Sequence, residues 1–219
     1  VQQHTNLTQE TTMQIDSSAV LWSAPEHERT GRPLLILLHG YGSHEGDLFG
    51  LASLLPQQPV IASLRAPLSE GIGFSWFPIN LNAGLRYDIE QVDAATNAVL
   101  SWLDTQAFTN VSLIGFSQGA AMALELMRLA PTRFRCAVAL SGFVASAEHP
   151  KDAALAAIRP PVFWGRGTDD QVIPAAAIDG TKEWLVHHAR VETHVYEGLA
   201  HSISNDELDD IVSFLNTHG

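Results

Sequence analysis

Cysteine, positive charge and long apolar runs are what this chain has least of. One cysteine stands among 219 residues, so no intramolecular disulfide can form. It lies in the apolar run Cys136-Ala137-Val138-Ala139-Leu140, the setting of a buried core thiol rather than of a nucleophile or ligand. Lys and Arg number 12 against 24 Asp and Glu, for a formal charge of −12, and the basic residues are scattered. That excludes nucleic acid and an anionic membrane surface as partners, because both require clustered cations. No apolar stretch reaches transmembrane length and no basic-then-apolar signal opens the chain, so a soluble, cytoplasmic protein without stable membrane insertion is expected. Gly71-Ile72-Gly73 lacks the third glycine of a dinucleotide fingerprint, no Lys follows a glycine-rich turn, and no Cys/His spacing suits a metal. The sequence therefore calls for no cofactor and no metal. The partners it leaves are a small molecule and, in a homodimer, a second copy of the chain.

What is present is a regular alternation of apolar and amphipathic segments. With 46% hydrophobic and 16% charged residues, the chain suits one globular domain with a large core. Residues 1–14 are polar and unpatterned and read as a flexible extension; residues 15–219 read as the domain. Segments 19–22, 34–38, 60–64, 111–115, 136–140, 161–164 and 191–196 carry strand character. The uninterrupted run Leu34-Leu35-Ile36-Leu37-Leu38 is of the kind covered on both faces in a parallel sheet. Helices are expected over 47–55, 88–106, from 118 to near Pro131, over 175–189, and from Ser204 to the end, with Ser204 as N-cap. Residues 65–87 read as a long loop. Strand and helix thus alternate almost throughout, as in a doubly wound, mostly parallel α/β sheet. The stretch from Ser141 to Arg159 is too short for a separate lid domain, so an active site beside it would be covered by loops alone.

The chemistry gathers around Gly115-Phe116-Ser117-Gln118-Gly119. A β-branched strand runs into a Gly-x-Ser-x-Gly turn and then into small helix-forming residues, so Ser117 would stand at a sharp strand-to-helix elbow. A serine hydroxyl becomes a nucleophile when a histidine takes its proton and a carboxylate holds that histidine. Downstream, the strand at 162–164 runs into a loop with Asp169 and Asp170, and the strand ending at Tyr196 runs into a loop with His201. Among ten histidines, most others are badly placed: His187 and His188 on a helix, His194 within a strand, His4 and His218 near the ends. The order Ser, acid, His is that of the α/β-hydrolases. The Gln118 amide and, in Leu38-His39-Gly40-Tyr41-Gly42, the Tyr41 amide are the candidate oxyanion donors. The His39 side chain reads as packed or hydrogen-bonded in place.

Together with Asp170-Gln171-Val172-Ile173-Pro174 and Gly198-Leu199-Ala200-His201-Ser202, these motifs resemble the carboxylesterase, lysophospholipase and acyl-protein thioesterase family of serine hydrolases. The resemblance runs from about Leu34 to the C-terminus. It implies an α/β-hydrolase fold and a triad of Ser117, Asp170 and His201, selecting Asp170 over Asp169 through the family's Asp-x-x-Val-Pro spacing. It also implies Tyr41 and Gln118 as backbone donors. Phe74-Ser75-Trp76-Phe77 is similar to the family's loop beside the substrate cleft, with Pro78 where an aspartate is usual. Trp76, Phe77 and, after Ser141, Phe143 are accordingly candidates for the substrate pocket, with simple loop packing as the alternative for Trp76 and Phe77. The expected activity is hydrolysis of small carboxylic esters through an acyl-enzyme on Ser117. Acyl-protein thioesterase or lysophospholipase activity is the alternative, and a non-catalytic binding protein the more remote one.

Overall fold

The computed structural model describes residues 13–80, 84–145 and 148–219. In chain order its elements are β1 (Leu21–Trp22), β2 (Leu34–Leu38), α1 (Gly46–Phe49), β3 (Val60–Leu64), β4 (Leu68–Glu70), β5 (Gly73–Ser75), β6 (Ile79–Asn80), β7 (Arg86–Tyr87) and α2 (Ile89–Asp104). There follow β8 (Val111–Phe116), α3 (Gln118–Leu129), β9 (Ala137–Leu140), α4 (Asp152–Ile158), β10 (Pro161–Gly167), α5 (Ala175–His188), β11 (Arg190–Tyr196) and α6 (Asn205–His218). A seven-stranded sheet in the order β1-β3-β2-β8-β9-β10-β11 forms the spine. All its pairings are parallel except that of β1 with β3.

Side chains alternate across a strand, and β2 shows the consequence. Leu34, Ile36 and Leu38 enter the larger core beneath α2 and α3, whereas Leu35 and Leu37 enter the second core beneath α6. All five are buried, which is why the run is apolar without interruption. The amphipathic reading of α2 holds: Val92, Ala95, Val99, Trp102 and Leu103 are buried, and the Asp88 carboxylate accepts the Glu90 amide as N-cap. Ser204 caps α6 through the Glu207 amide at 3.1 Å. Cys136 is fully buried, its thiol donates to Ser112 Oγ at 3.4 Å, and burial pushes its pKa up to about 11. Among the described residues no helix is long and apolar enough to cross a membrane.

Several local expectations are corrected. The helix expected over 47–55 is one α turn, Gly46–Phe49, followed by a 3₁₀ turn, Ala52–Leu54; Gly50 and Pro56 bracket a segment too short to propagate a helix. The first strand is shortened to Leu21–Trp22 because Asp16 caps a 3₁₀ turn at Ser17–Ala19. The 65–87 loop holds two small antiparallel pairs, β4 with β5 and β6 with β7. The connection after β9 is more than loop, since α4 forms within it. Of the expected N-terminal extension, residues 1–12 lie outside the described residues; Met13 packs against the larger core.

Candidate active site

The elbow is built from backbone contact. Gly115 is the last residue but one of β8 and Gly119 the second of α3, and each lies where a Cβ would collide: the one with the Gly119 carbonyl, the other with the Leu38 carbonyl. Only glycine lets strand and helix approach so closely. Between them Ser117 is held at φ 55°, ψ −115°, a region that costs a non-glycine residue about 1–3 kcal/mol and persists where its surroundings enforce it. Its amide donates to the Leu140 carbonyl at 2.8 Å, and its carbonyl accepts the Ala120 and Ala121 amides at 3.0 and 3.2 Å. The strained backbone is thereby tied to both neighbours, β9 and α3.

Parallel strands deliver the other two groups at their carboxyl ends. The loop after β10 carries Asp170, whose side chain is 2% exposed. Its Oδ1 accepts the Val172 and Ile173 amides at 2.9 and 3.3 Å, and its Oδ2 lies 2.7 Å from His201 Nδ1. A carboxylate with these donors is an acceptor at both oxygens, so the His201 ring proton belongs on Nδ1 and Nε2 is left as the basic nitrogen. The neighbouring Asp169 is exposed and takes the Thr168 hydroxyl at 3.1 Å. His201 packs on Phe116, the residue preceding Ser117, with ring centroids 4.9 Å apart. No hydrogen bond joins Ser117 Oγ to His201 among the described residues; unliganded sites commonly hold this contact loosely and tighten it around substrate.

The loop Gly40–Gly42 is locked by His39. Its Nε2 accepts the Ala66 amide at 3.1 Å, which leaves the proton on Nδ1 to donate to the Gly40 carbonyl at 2.8 Å. Burial lowers the His39 pKa, keeping the ring neutral. The Ser43 amide reaches the same carbonyl at 3.2 Å. In a trans peptide the N–H points opposite the carbonyl, so the Tyr41 N–H turns away from the His39 ring. Gly40 itself lies against the elbow, its Cβ position 3.6 Å from Ser117 Cβ. Neither the Tyr41 nor the Gln118 amide has an acceptor among the described residues.

Gln118 has a second task that its position in the motif does not announce. Its buried side chain accepts the Trp76 amide at 2.9 Å and donates to the Phe77 carbonyl at 2.7 Å, while the Trp76 indole donates to the His39 carbonyl at 2.8 Å. Trp76 and Phe77 have no exposed surface and Phe143 is 2% exposed; all three belong to the larger core. They support the site from beneath. The open cleft beside His201 is of about 300 Å³ and is lined instead by Asp47, Leu48, Leu51, Phe116, Ser202 and Ile203. Asp47 is hydrogen-bonded by Ser43 Oγ at 2.6 Å. A larger surface hollow of about 590 Å³ lies around Arg159, Val186 and His218 and touches none of these groups. Phe116 and Ser202 belong to motifs of the sequence, whereas Asp47, Leu48, Leu51 and Ile203 come from segments that look like ordinary helix and loop, so no motif marks them. Among the described residues, the cluster of ionisable groups spaced to hold a metal includes neither Asp170 nor His201.

With this geometry in view, comparison with known proteins is direct. The profile of the Phospholipase/Carboxylesterase family matches residues 23–219. An acyl-protein thioesterase 1 of Kluyveromyces lactis is 28% identical over 206 residues, covering 84% of this chain and 90% of the relative. The carboxylesterase SOBER1 of Arabidopsis thaliana is 35% identical over 158 residues, covering 64% and 66%. Among solved structures, the Bacillus cereus carboxylesterase superposes with a TM-score of 0.77 at 25% identity, covering 90% of this chain and 93% of that one. The sheet, the glycine-packed serine elbow and these matches have one conclusion: the chain belongs to the phospholipase/carboxylesterase family of α/β-hydrolase-fold serine hydrolases.

Proposed function

We propose that this protein hydrolyses small carboxylic esters through an acyl-enzyme on Ser117. The observation that carries the reading is the 2.7 Å contact between His201 Nδ1 and Asp170 Oδ2, because it commits Nδ1 to the carboxylate and leaves Nε2 to take a proton. His201 Nε2 removes the Ser117 hydroxyl proton as Oγ attacks the ester carbonyl carbon. The resulting oxyanion is received by the Tyr41 and Gln118 amides. His201 then returns the proton to the departing alkoxide, and the acyl group stays on Oγ. In the second half His201 takes a proton from water, hydroxide equivalent adds to the acyl carbon, and the carboxylic acid leaves as Ser117 recovers its proton. The Asp170 carboxylate offsets the imidazolium charge.

The cleft's volume, at the lower end of small-molecule sites, and its Leu48, Leu51 and Ile203 walls favour a compact apolar group. Thioester hydrolysis is the second reading, supported by the acyl-protein thioesterase relatives; the same groups would perform it. p-Nitrophenyl acetate and butyrate should be hydrolysed by wild type, and Ser117→Ala should lose at least about 10⁴-fold in kcat while remaining folded by circular dichroism. Equal turnover by the two proteins would sink the proposal. Rates across an acyl-chain series, with oxygen esters and thioesters side by side, separate the two readings: a maximum at short oxygen esters supports the first, a maximum at long-chain thioesters the second.

A further inference from the structure

Away from Ser117, one group of ionisable side chains joins three separate elements. Asp93 lies on α2, Glu125 on α3 and His149 in the loop leading to α4. One oxygen of each acid and one ring nitrogen of His149 all lie within 4.8 Å of one another. The Glu125 side chain has no exposed surface. Its Oε2 accepts Arg128 Nη1 at 2.9 Å, but among the described residues its Oε1 is buried without a partner, as is Asp93 Oδ1. Arg128 also binds Asp152 through Nε at 2.8 Å, so one guanidinium pairs with the carboxylates of both Glu125 and Asp152. Carboxylate oxygens withdrawn from water without a donor are costly, and the two acids that meet His149 each carry one.

We propose that Asp93, Glu125 and His149 form a binding site for one divalent transition-metal ion of the zinc class, which clamps the loop after β9 onto α2 and α3. Two carboxylates and one imidazole are a mixed oxygen and nitrogen donor set, suited to such an ion better than to calcium or magnesium, which prefer oxygen alone. Ligand atoms about 2.1 Å from a tetrahedral ion stand about 3.4 Å apart, so the three groups close on it through small side-chain rotations. His149 Nδ1 accepts the Lys151 amide at 3.1 Å. Ligation costs that bond, either directly or by moving the ring proton to Nδ1; the amide lies at an exposed helix start, where water replaces the acceptor. His149 keeps its backbone anchor, its amide donating to Asp152 Oδ2 at 2.9 Å.

The clamp bears on a loop with other tethers. Val144 N donates to Thr181 Oγ1 at 2.9 Å, and Tyr87 donates to the Ala145 carbonyl. A metal would add a further link between this loop and α3, beside the Arg128–Asp152 pair. The sequence could not show the site, because its residues come from three elements with no metal-binding spacing.

The test is binding and thermal stability of the full chain after treatment with EDTA and dialysis. One equivalent of ZnCl₂ should raise Tm by several degrees and titrate calorimetrically at one ion per chain, whereas MgCl₂ should do neither. Asp93→Asn and His149→Ala, both at partly exposed positions, should keep the fold and weaken zinc binding at least about 10-fold. The proposal is overturned if wild type binds no zinc up to about 1 mM, or if both variants bind it as wild type does, placing the ion at another histidine. Ester hydrolysis is not the readout, so failure here leaves the Ser117 mechanism untouched.

Discussion

The molecule contains two meetings of imidazole with carboxylate, and they are finished differently. At His201 the partner carboxylate of Asp170 has every oxygen spoken for: two backbone amides on Oδ1 and the ring on Oδ2. At His149 the facing acids keep buried oxygens with no donor among the described residues. A satisfied carboxylate holds its histidine in one tautomer and one orientation, which is what proton transfer needs. Even with Arg128 on Glu125 Oε2, the pair keeps oxygens open to a further cation. The same residue types therefore serve orientation in one place and ligand binding in the other, and what separates them is the number of donors the backbone supplies.

The sharpest way to break the comparison is at the satisfied pair. Asp170→Asn keeps the shape but replaces an acceptor by a donor, and should lower kcat by about 10⁴-fold, while Asp169→Asn, at the exposed acid, should stay within about twofold of wild type. Steady-state rates on p-nitrophenyl butyrate decide it; a collapse in the Asp169 variant alone would show that the loop is read one residue out of register.

Next in size is Gln118→Ala. This strips donor and acceptor from a buried two-bond clamp on the Trp76 and Phe77 backbone, at an expected cost of about 2–3 kcal/mol in urea unfolding. Its fall in kcat should be far smaller than that of Ser117→Ala, because the Gln118 amide survives the change. A loss of activity as large as that of Ser117→Ala would move the catalytic role to the side chain.

A third carboxyl extends the unsatisfied side. Glu207 is 1% exposed, with both oxygens unpartnered among the described residues, and burial pushes its pKa from 4.5 up to about 7. The folded chain then binds this proton more tightly than the unfolded chain, so its contribution to stability is present below about pH 4.5 and is lost as pH rises to about 7. Glu207→Gln removes the charge that burial opposes. At pH 8 it should be about 1–3 kcal/mol more stable than wild type, at about 1.4 kcal/mol per pKa unit, and near parity at pH 4.5. Urea midpoints at the two pH values check this; an offset that does not change with pH would contradict it.

Much of the candidate site's layout was legible in the sequence because it is local. Leu34 to Leu38 had to be a doubly covered strand, Gly115 and Gly119 had to flank a close approach, and Asp170 and His201 each follow a strand directly. What could not be read depends on distant segments meeting. Gln118 clamps residues about forty positions away, Trp76 and Phe77 are drawn beneath the site by that clamp, and the cleft takes its wall from Leu48 and Leu51 on a broken helix. Asp93, Glu125 and His149 converge only once α2, α3 and the loop before α4 have packed. Periodicity names a buried face; it does not name what the face touches.

The central claim is a covalent acyl group on Ser117, and mass spectrometry of the protein mixed with p-nitrophenyl butyrate and quenched within the first turnover tests it most directly. The account predicts a mass increase of one butyryl group, carried by the peptide containing Ser117 and absent from Ser117→Ala. Hydrolysis that proceeds at the wild-type rate in Ser117→Ala, or a butyryl group found on another residue in the productive enzyme, would contradict it.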